Sequence, residues 1–485
     1  MPRRPLHSAA ICFAAFLAPA LRADDVPAVD FGRELAPLLI QHCMACHGEE
    51  TAEGSYSVES LERLVAAGDS GLAAIVAGKP HESELLRRLK SDDESERMPA
   101  DAPPLPAETI AVFERWVEQG AASASPADTP LSQFAAAAMP SFEIPEHYPR
   151  AIPVAAVAIF PGGQRVASAG YGEVLIWDVA SQTLAARVRV AGRRIADIEV
   201  ADIEVVSDGN GDVDRAETLL VVASGEPGQS GVVEAFCGDG SAPGSQWQRR
   251  WAIGGSDLAN DVAISPDGSR TLVGLASGAI LLVDSGDGAE RFKLDSHAAA
   301  VTSVAWSADG ERIFSASRDR MAKAYQAKDG AIIASFADHE RVVGGVVESK
   351  QGAVTIDETG QLRNWSADIN ARQVSHWGNL EQSVRKLERA GESIFVPSGD
   401  AIRRFTVVVE EVDDGKDDEG KPKKKKRQRF QEGDRLSLGD AVPLSFDALV
   451  HGESVLVAAG LRSGEVILWD AAAPQEPKAR FTATP

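Results

Sequence analysis

The chain has 485 residues, 44% of them hydrophobic and 25% charged, a balance that permits a sizeable core and excludes wholesale disorder, a collagen-like fibre and a polytopic membrane protein. Its 72 acidic against 49 basic side chains leave a net charge of −23, which repels phosphate backbones and argues against nucleic acid as a partner. Four cysteines, Cys12, Cys43, Cys46 and Cys237, exclude a disulfide framework, and only the close pair forms a pattern.

Residues 1–23 are expected to be a signal peptide. Arg3 and Arg4 precede an apolar run from Ala9 to Ala20, and small residues follow before Asp24. The run is 12 residues long, whereas a retained spanning helix needs roughly twenty. No later stretch is long enough to cross a bilayer. The mature chain is therefore expected to be exported, periplasmic or otherwise extracytoplasmic, with no membrane span.

Residues 24–122 are expected to form a small all-α domain. Asp30 can cap a helix in which Phe31, Leu35, Leu38 and Leu39 recur at helical spacing, and that helix runs into Cys43-Met44-Ala45-Cys46-His47. In an exported protein the motif C-x-x-C-H points to one covalent haem c: two thiols three residues apart bond the porphyrin, and the next residue reaches the iron. A zinc site would need a second ligand pair, and the remaining mature cysteine, Cys237, is far away in sequence. A thioredoxin-like motif would follow a strand, whereas a helix precedes this pair. Met98, 51 residues after His47, is the expected sixth ligand, because Pro99 disfavours a helical conformation there and leaves the thioether on a loop. His81 is the competitor for that role, and a gap-filling core methionine is the alternative for Met98. A closing helix carries Ile110, Phe113, Trp116 and Val117 on one face and can end at Gly120.

Together Cys43 to Gly48, Gly78 to Leu85, Met98-Pro99 and Ala107 to Ala121 resemble the planctomycete-type cytochrome c domain in the order of their motifs. Ala100 departs from the pattern, where a second proline is common. The resemblance implies haem binding and electron transfer; it names no partner.

Residues 123–150 mix Ala, Ser and Pro and are expected to be a linker. From 151 to 485 the sequence repeats. Apolar strands end in anchors at Trp177, Phe236, Val283, Tyr325, Trp365, Phe405 and Trp469, spaced 59, 47, 42, 40, 40 and 64 residues apart. Trp177-Asp178 and Trp469-Asp470 resemble the WD repeat, whose period is about 40 to 45 residues. The fourth repeat adds His297, Ser315 and Asp319 ahead of Tyr325, resembling the set that braces WD blades. The expected fold is thus multidomain: a small all-α cytochrome c-like domain followed by an all-β, seven-bladed WD40-type propeller with insertions near 206–217 and 410–435. An eighth blade is the rival count. Ala479 to Thr482 can supply the last outer strand, or an N-terminal strand can close the ring.

Two features leave alternatives open, and a third has one reading. Asp208 to Asp214 alternates oxygen donors as calcium loops do, but Leu219 stands where an EF-hand needs glutamate, so a solvated hairpin turn competes with calcium. The charged run Glu410 to Arg435 suggests a flexible exposed loop or a dock for an acidic redox partner. Cys237 reads as a buried structural thiol. The function expected is an exported electron-transfer cytochrome acting with an unidentified redox partner, its propeller a platform for a possible protein partner. A propeller scaffold with haem as redox sensor is the alternative, and a propeller dehydrogenase subunit a third, although no catalytic site is recognisable.

Overall fold

A computed structural model of the protein describes residues 28–48, 52–100, 102–134, 144, 148, 150–206, 213–226, 230–238, 246–255, 257–350, 352–366, 375–377, 380, 386–416 and 422–482. The expected signal peptide and most of the Asp208 to Asp214 segment lie outside the described residues.

The N-terminal helices form because their apolar residues fall on single faces. A π-helical turn, Phe31–Leu35, leads into α1 (Ala36–His42) and then, across Cys43, α2 (Met44–His47). Asp30 starts the turn reciprocally: its carbonyl accepts from Glu34 N at 2.8 Å while Glu34 Oε1 accepts from Asp30 N at 3.0 Å. Two short helices follow, α3 (Leu61–Val65) and α4 (Glu84–Leu89), and then α5 (Ala107–Glu118). Phe113, Trp116 and Val117 of α5 are buried against Leu35, Leu39 and Leu64, and Gly120, at φ +100°, ends the helix.

This core extends into the segment expected to be linker. Leu131 is fully buried in it, and Leu131 N donates to Glu59 O at 2.6 Å. Phe134 meets Phe31 edge-on at 5.3 Å. Two apolar residues three apart suffice to bring the turn Leu131–Phe134 onto the helices, and the same turn lies against β8 (Gln248–Gly255) of the propeller. Further along, Tyr148 is buried where its hydroxyl donates to Glu173, whose carboxylate also accepts two bonds from Arg187 at 2.8 and 2.6 Å.

Among the described residues, 28 strands, β1 to β28 in sequence order, form seven four-stranded antiparallel sheets, each from consecutive strands. The protein is a seven-bladed all-β propeller with a small N-terminal helical region. All seven anchor residues occupy the third strand of their blade, from Trp177 in β3 (Glu173–Asp178) to Trp469 in β27 (Glu465–Asp470). The seventh blade is completed by its own outer strand, β28 (Ala479–Thr482). An N-terminal strand is not needed, since β28 pairs with β27 and Phe481 stacks on Trp177 of the first blade at 5.7 Å.

Inner strands are stitched side chain to backbone. Asp197 in β5 (Arg194–Val206) accepts from Val262 N at 3.2 Å, Asp261 in β9 (Ala259–Ile264) from Val304 N at 2.7 Å, and Asp447 in β25 (Pro443–His451) from Ile159 N at 2.6 Å. Each bond satisfies an amide that faces the preceding blade. Lys386, entering β21 (Glu388–Ala390) of the sixth blade, reaches Asp197 at 2.9 Å, Glu388 at 3.4 Å and Asp261 at 4.0 Å. It ties the sixth blade to the second and third. Burial alone would lower Lys386, but the carboxylates of Asp197, Glu388 and Asp261 outweigh it and hold the ammonium above its usual range.

The expectation of a flexible loop at 410–435 is corrected. The run forms two long strands, β23 (Ala401–Lys416) and β24 (Pro422–Ser437), in register through Glu410 opposite Arg427, Glu411 opposite Lys426 and Asp413 opposite Lys424. Acidic residues on one strand facing basic ones on the other favour pairing over a loose segment; Arg429 reaches Glu410 at 2.9 Å and Lys424 reaches Glu411 at 3.4 Å. Lys424 and Arg429 are thus each paired with an acidic side chain across the two strands.

Candidate functional site

The residues singled out in the helical domain meet in one cleft with about 1050 Å³ of empty space, counting its mouth. Cys43, Cys46 and His47 line it, and so do Met98, Pro99 and Ala100. The first set is delivered by α1: Cys43 N donates to Leu39 O at 2.9 Å, and His47 N to Cys43 O at 2.9 Å, so one helical register fixes both thiols and the imidazole. Gly48 must be glycine at this point, because a Cβ there would lie 2.8 Å from Met44 O. Met98 is held from the opposite side of the sequence by its amide, which donates to Arg88 O at the end of α4 at 3.1 Å.

His47 is oriented by Tyr56. Its Nδ1 lies 3.3 Å from the Tyr56 carbonyl, which receives the ring N–H and leaves Nε2 as the free nitrogen. The rings meet edge to face at 5.4 Å. Tyr56 is fixed in turn: its hydroxyl donates to Leu64 O at 2.8 Å, and Val58 N donates to His47 O at 2.8 Å. Nothing in the sequence marks Tyr56, since its carbonyl, common to every residue type, does the work.

Burial, with a smaller contribution from Cys46, pushes the Cys43 thiol up to about 12, while Cys46 is exposed at the rim. Burial lowers His42, which also lines the cleft. Apolar walls come from Val58, Ala74, Leu85 and Leu89. Glu84 is 7% exposed, and its carboxylate accepts from Arg87 Nε at 2.7 Å, Arg87 Nη2 at 2.8 Å and Arg88 Nε at 2.8 Å, which hold it below the usual carboxylate range. His81 does not line the cleft; it is exposed on the turn Pro80–Glu82.

Two thiols, an imidazole with its second nitrogen engaged and a thioether within largely apolar walls make a donor set that fits a covalently held haem. Residues 43–101 match the Planctomycete cytochrome C family. The planctomycete cytochrome C family implies haem c as the cofactor. Within that stretch lie both cysteines, His47, Tyr56, the Glu84–Arg88 pair and Met98. Residues 288–326 match the WD domain, G-beta repeat family, a span that runs from the outer strand of the third blade to the third strand of the fourth. No curated protein matches this sequence.

In the fourth blade the expected brace is present. His297 Nδ1 lies 2.9 Å from Asp319 Oδ2 and Nε2 2.7 Å from Ser315 Oγ, which is 3.3 Å from the Tyr325 hydroxyl. The fifth blade repeats it with His339, Asp357, Thr355 and Trp365 at 3.0, 2.7 and 2.7 Å. That second set is hard to see in the sequence because Thr355 replaces the serine of the fourth blade and Trp365 its tyrosine. Cys237 is half-buried beneath Arg250, whose Nη1 lies 3.4 Å from the sulfur. Among the described residues no group of three or more His, Cys, Asp or Glu is arranged to hold a metal ion, and no helix is long and apolar enough to cross a membrane.

Proposed function

We propose that the protein is an exported c-type cytochrome, acting outside the cytoplasm, that binds one haem c covalently through Cys43 and Cys46 and transfers electrons to or from a partner protein. The observation that carries this is the shared cleft: both thiols, His47 and Met98 line it, and the Tyr56 carbonyl sets the imidazole so that Nε2 is free to serve as the iron ligand. Haem would supply a one-electron couple. The protein's own residues do the remainder. His47 and Met98 would hold the iron between an imidazole nitrogen and a thioether, a donor pair that suits electron transfer more than catalysis. The apolar walls exclude water, and Met98, tied to the end of α4, needs little rearrangement when the charge changes. The propeller supplies surface for docking.

Redox titration of the full-length protein, produced with c-type maturation machinery, tests the reading: a single reversible one-electron transition is expected, and its absence in folded protein contradicts the proposal. The packing of the Leu131–Phe134 turn against β8 favours a second reading, in which haem state alters propeller binding. Partner affinity that changes between oxidised and reduced protein would distinguish it.

A further inference from the structure

Haem brings two propionate carboxylates into any site that holds it, and the cleft described above is poor in groups to receive them. Glu53, Asp69 and Glu84 among its lining residues are acidic. Arg88 is the one guanidinium or ammonium in that lining. Its Nε is committed to Glu84 Oε1 at 2.8 Å, while among the described residues its two Nη nitrogens carry no hydrogen bond. The guanidinium is thus oriented by one end and unspent at the other.

Resting on the haem reading, we infer that Arg88 receives a haem propionate and that Glu84 is the positioning residue that aims it. A planar guanidinium presents paired donors that match a carboxylate in two-point contact, and such charge-assisted bonds are the strong ones. Leaving a carboxylate uncompensated beside Glu84 would be costly in a partly dry cleft. Glu84 itself is saturated by Arg87 and Arg88, so it orients the guanidinium without needing a further partner. The arrangement also links two functions in one residue. The Arg88 carbonyl holds the Met98 amide, and its side chain holds the propionate, so α4 positions the thioether and the anionic edge of the ring together. Arg97, adjacent to Met98 with its Nε buried and unpartnered, is not among the cleft's lining residues and serves as the control.

The test uses the full-length protein with haem attached, comparing the parent with R88Q, R88K, E84Q and R97Q by covalent haem content and by midpoint potential across roughly pH 5 to 9. R88Q is expected to keep covalent haem and to show a lower potential at high pH, because an uncompensated propionate favours the ferric state. Its potential is expected to rise again as the pH falls, since loss of the guanidinium strengthens proton binding by the propionate about tenfold or more. R88K retains charge without the fork and should fall between the two, E84Q, which loosens the guanidinium but also removes a negative charge, should gain the pH dependence of R88Q without its lower potential, and R97Q should follow the parent. R88Q or R88K carrying covalent haem with the parental potential and pH profile overturns the assignment, as does the R88Q pattern appearing in R97Q instead. A parent without covalent haem overturns the haem reading itself.

Discussion

The carbonyl oxygen of Tyr56 lies 3.3 Å from Nδ1 of His47, so a residue nine positions beyond the C-x-x-C-H motif decides which imidazole nitrogen is free. That carbonyl is held by the tyrosine's own hydroxyl on Leu64 O at 2.8 Å. Tyr56→Phe removes only the hydroxyl. It is expected to retain haem, to cost about 1 kcal/mol of stability, and to shift the potential by loosening the imidazole; thermal unfolding and potentiometry of the same sample check both parts.

Met98→Ala removes the thioether while leaving the thiols and His47 in place. Covalent haem should be retained, the potential should drop, and exogenous cyanide or imidazole should bind at the vacated position. Unchanged potential together with continued exclusion of these ligands would remove Met98 as the axial partner. His47→Ala should disturb the iron more severely than Met98→Ala in the same spectra.

Asp447 joins the last blade to the first through Ile159 N at 2.6 Å. Asp447→Ala strips that buried amide of its acceptor, which costs about 1–3 kcal/mol. The propeller transition in a calorimetric scan should move down while haem content stays at the parental level. A displaced haem spectrum would mean that the two parts unfold as one.

Burial lowers the pKa of His297 from 6.5, despite the opposing pull of Asp319. The unfolded state therefore binds the proton first on acidification, and stability contributed by neutral His297 is lost as the pH falls below about 6.5. Asp319, also lowered, contributes in a separate window below its ordinary 3.8. His297→Gln should reduce the loss of melting temperature between pH 7.5 and 5.5, even though the variant starts from a lower value. An identical loss in parent and variant would mean that other groups carry the acid sensitivity.

Much of the fold was legible because blades repeat a local pattern. Anchors such as Trp177, Tyr325 and Trp469 mark third strands, and glycines such as Gly163, Gly268 and Gly310 adopt φ near +70° at the turns joining first and second strands. The helical domain was equally plain at Phe113, Trp116 and Val117, where one face is apolar. Contacts between residues distant in sequence were not legible. Lys386 meets Asp197 only after the ring has closed, and Leu131 joins a core that reaches as far upstream as Val29 and Phe31. The acidic-then-basic run at 410–435 was visible, but its register depended on how β23 and β24 meet. At the cleft, the motif named Cys43, Cys46 and His47, whereas Tyr56 and Arg88 act through a backbone carbonyl and a guanidinium whose positions only the folded protein defines.

Covalent attachment of haem is the claim on which the rest stands. The direct measurement is a haem-stained denaturing gel with intact mass on the full-length protein made with c-type maturation machinery, beside a variant carrying both Cys43→Ser and Cys46→Ser. Haem that survives denaturation at one per polypeptide in the parent and vanishes in the variant is the expected result. A folded parent that loses all its haem on denaturation, or never acquires any, would contradict the account.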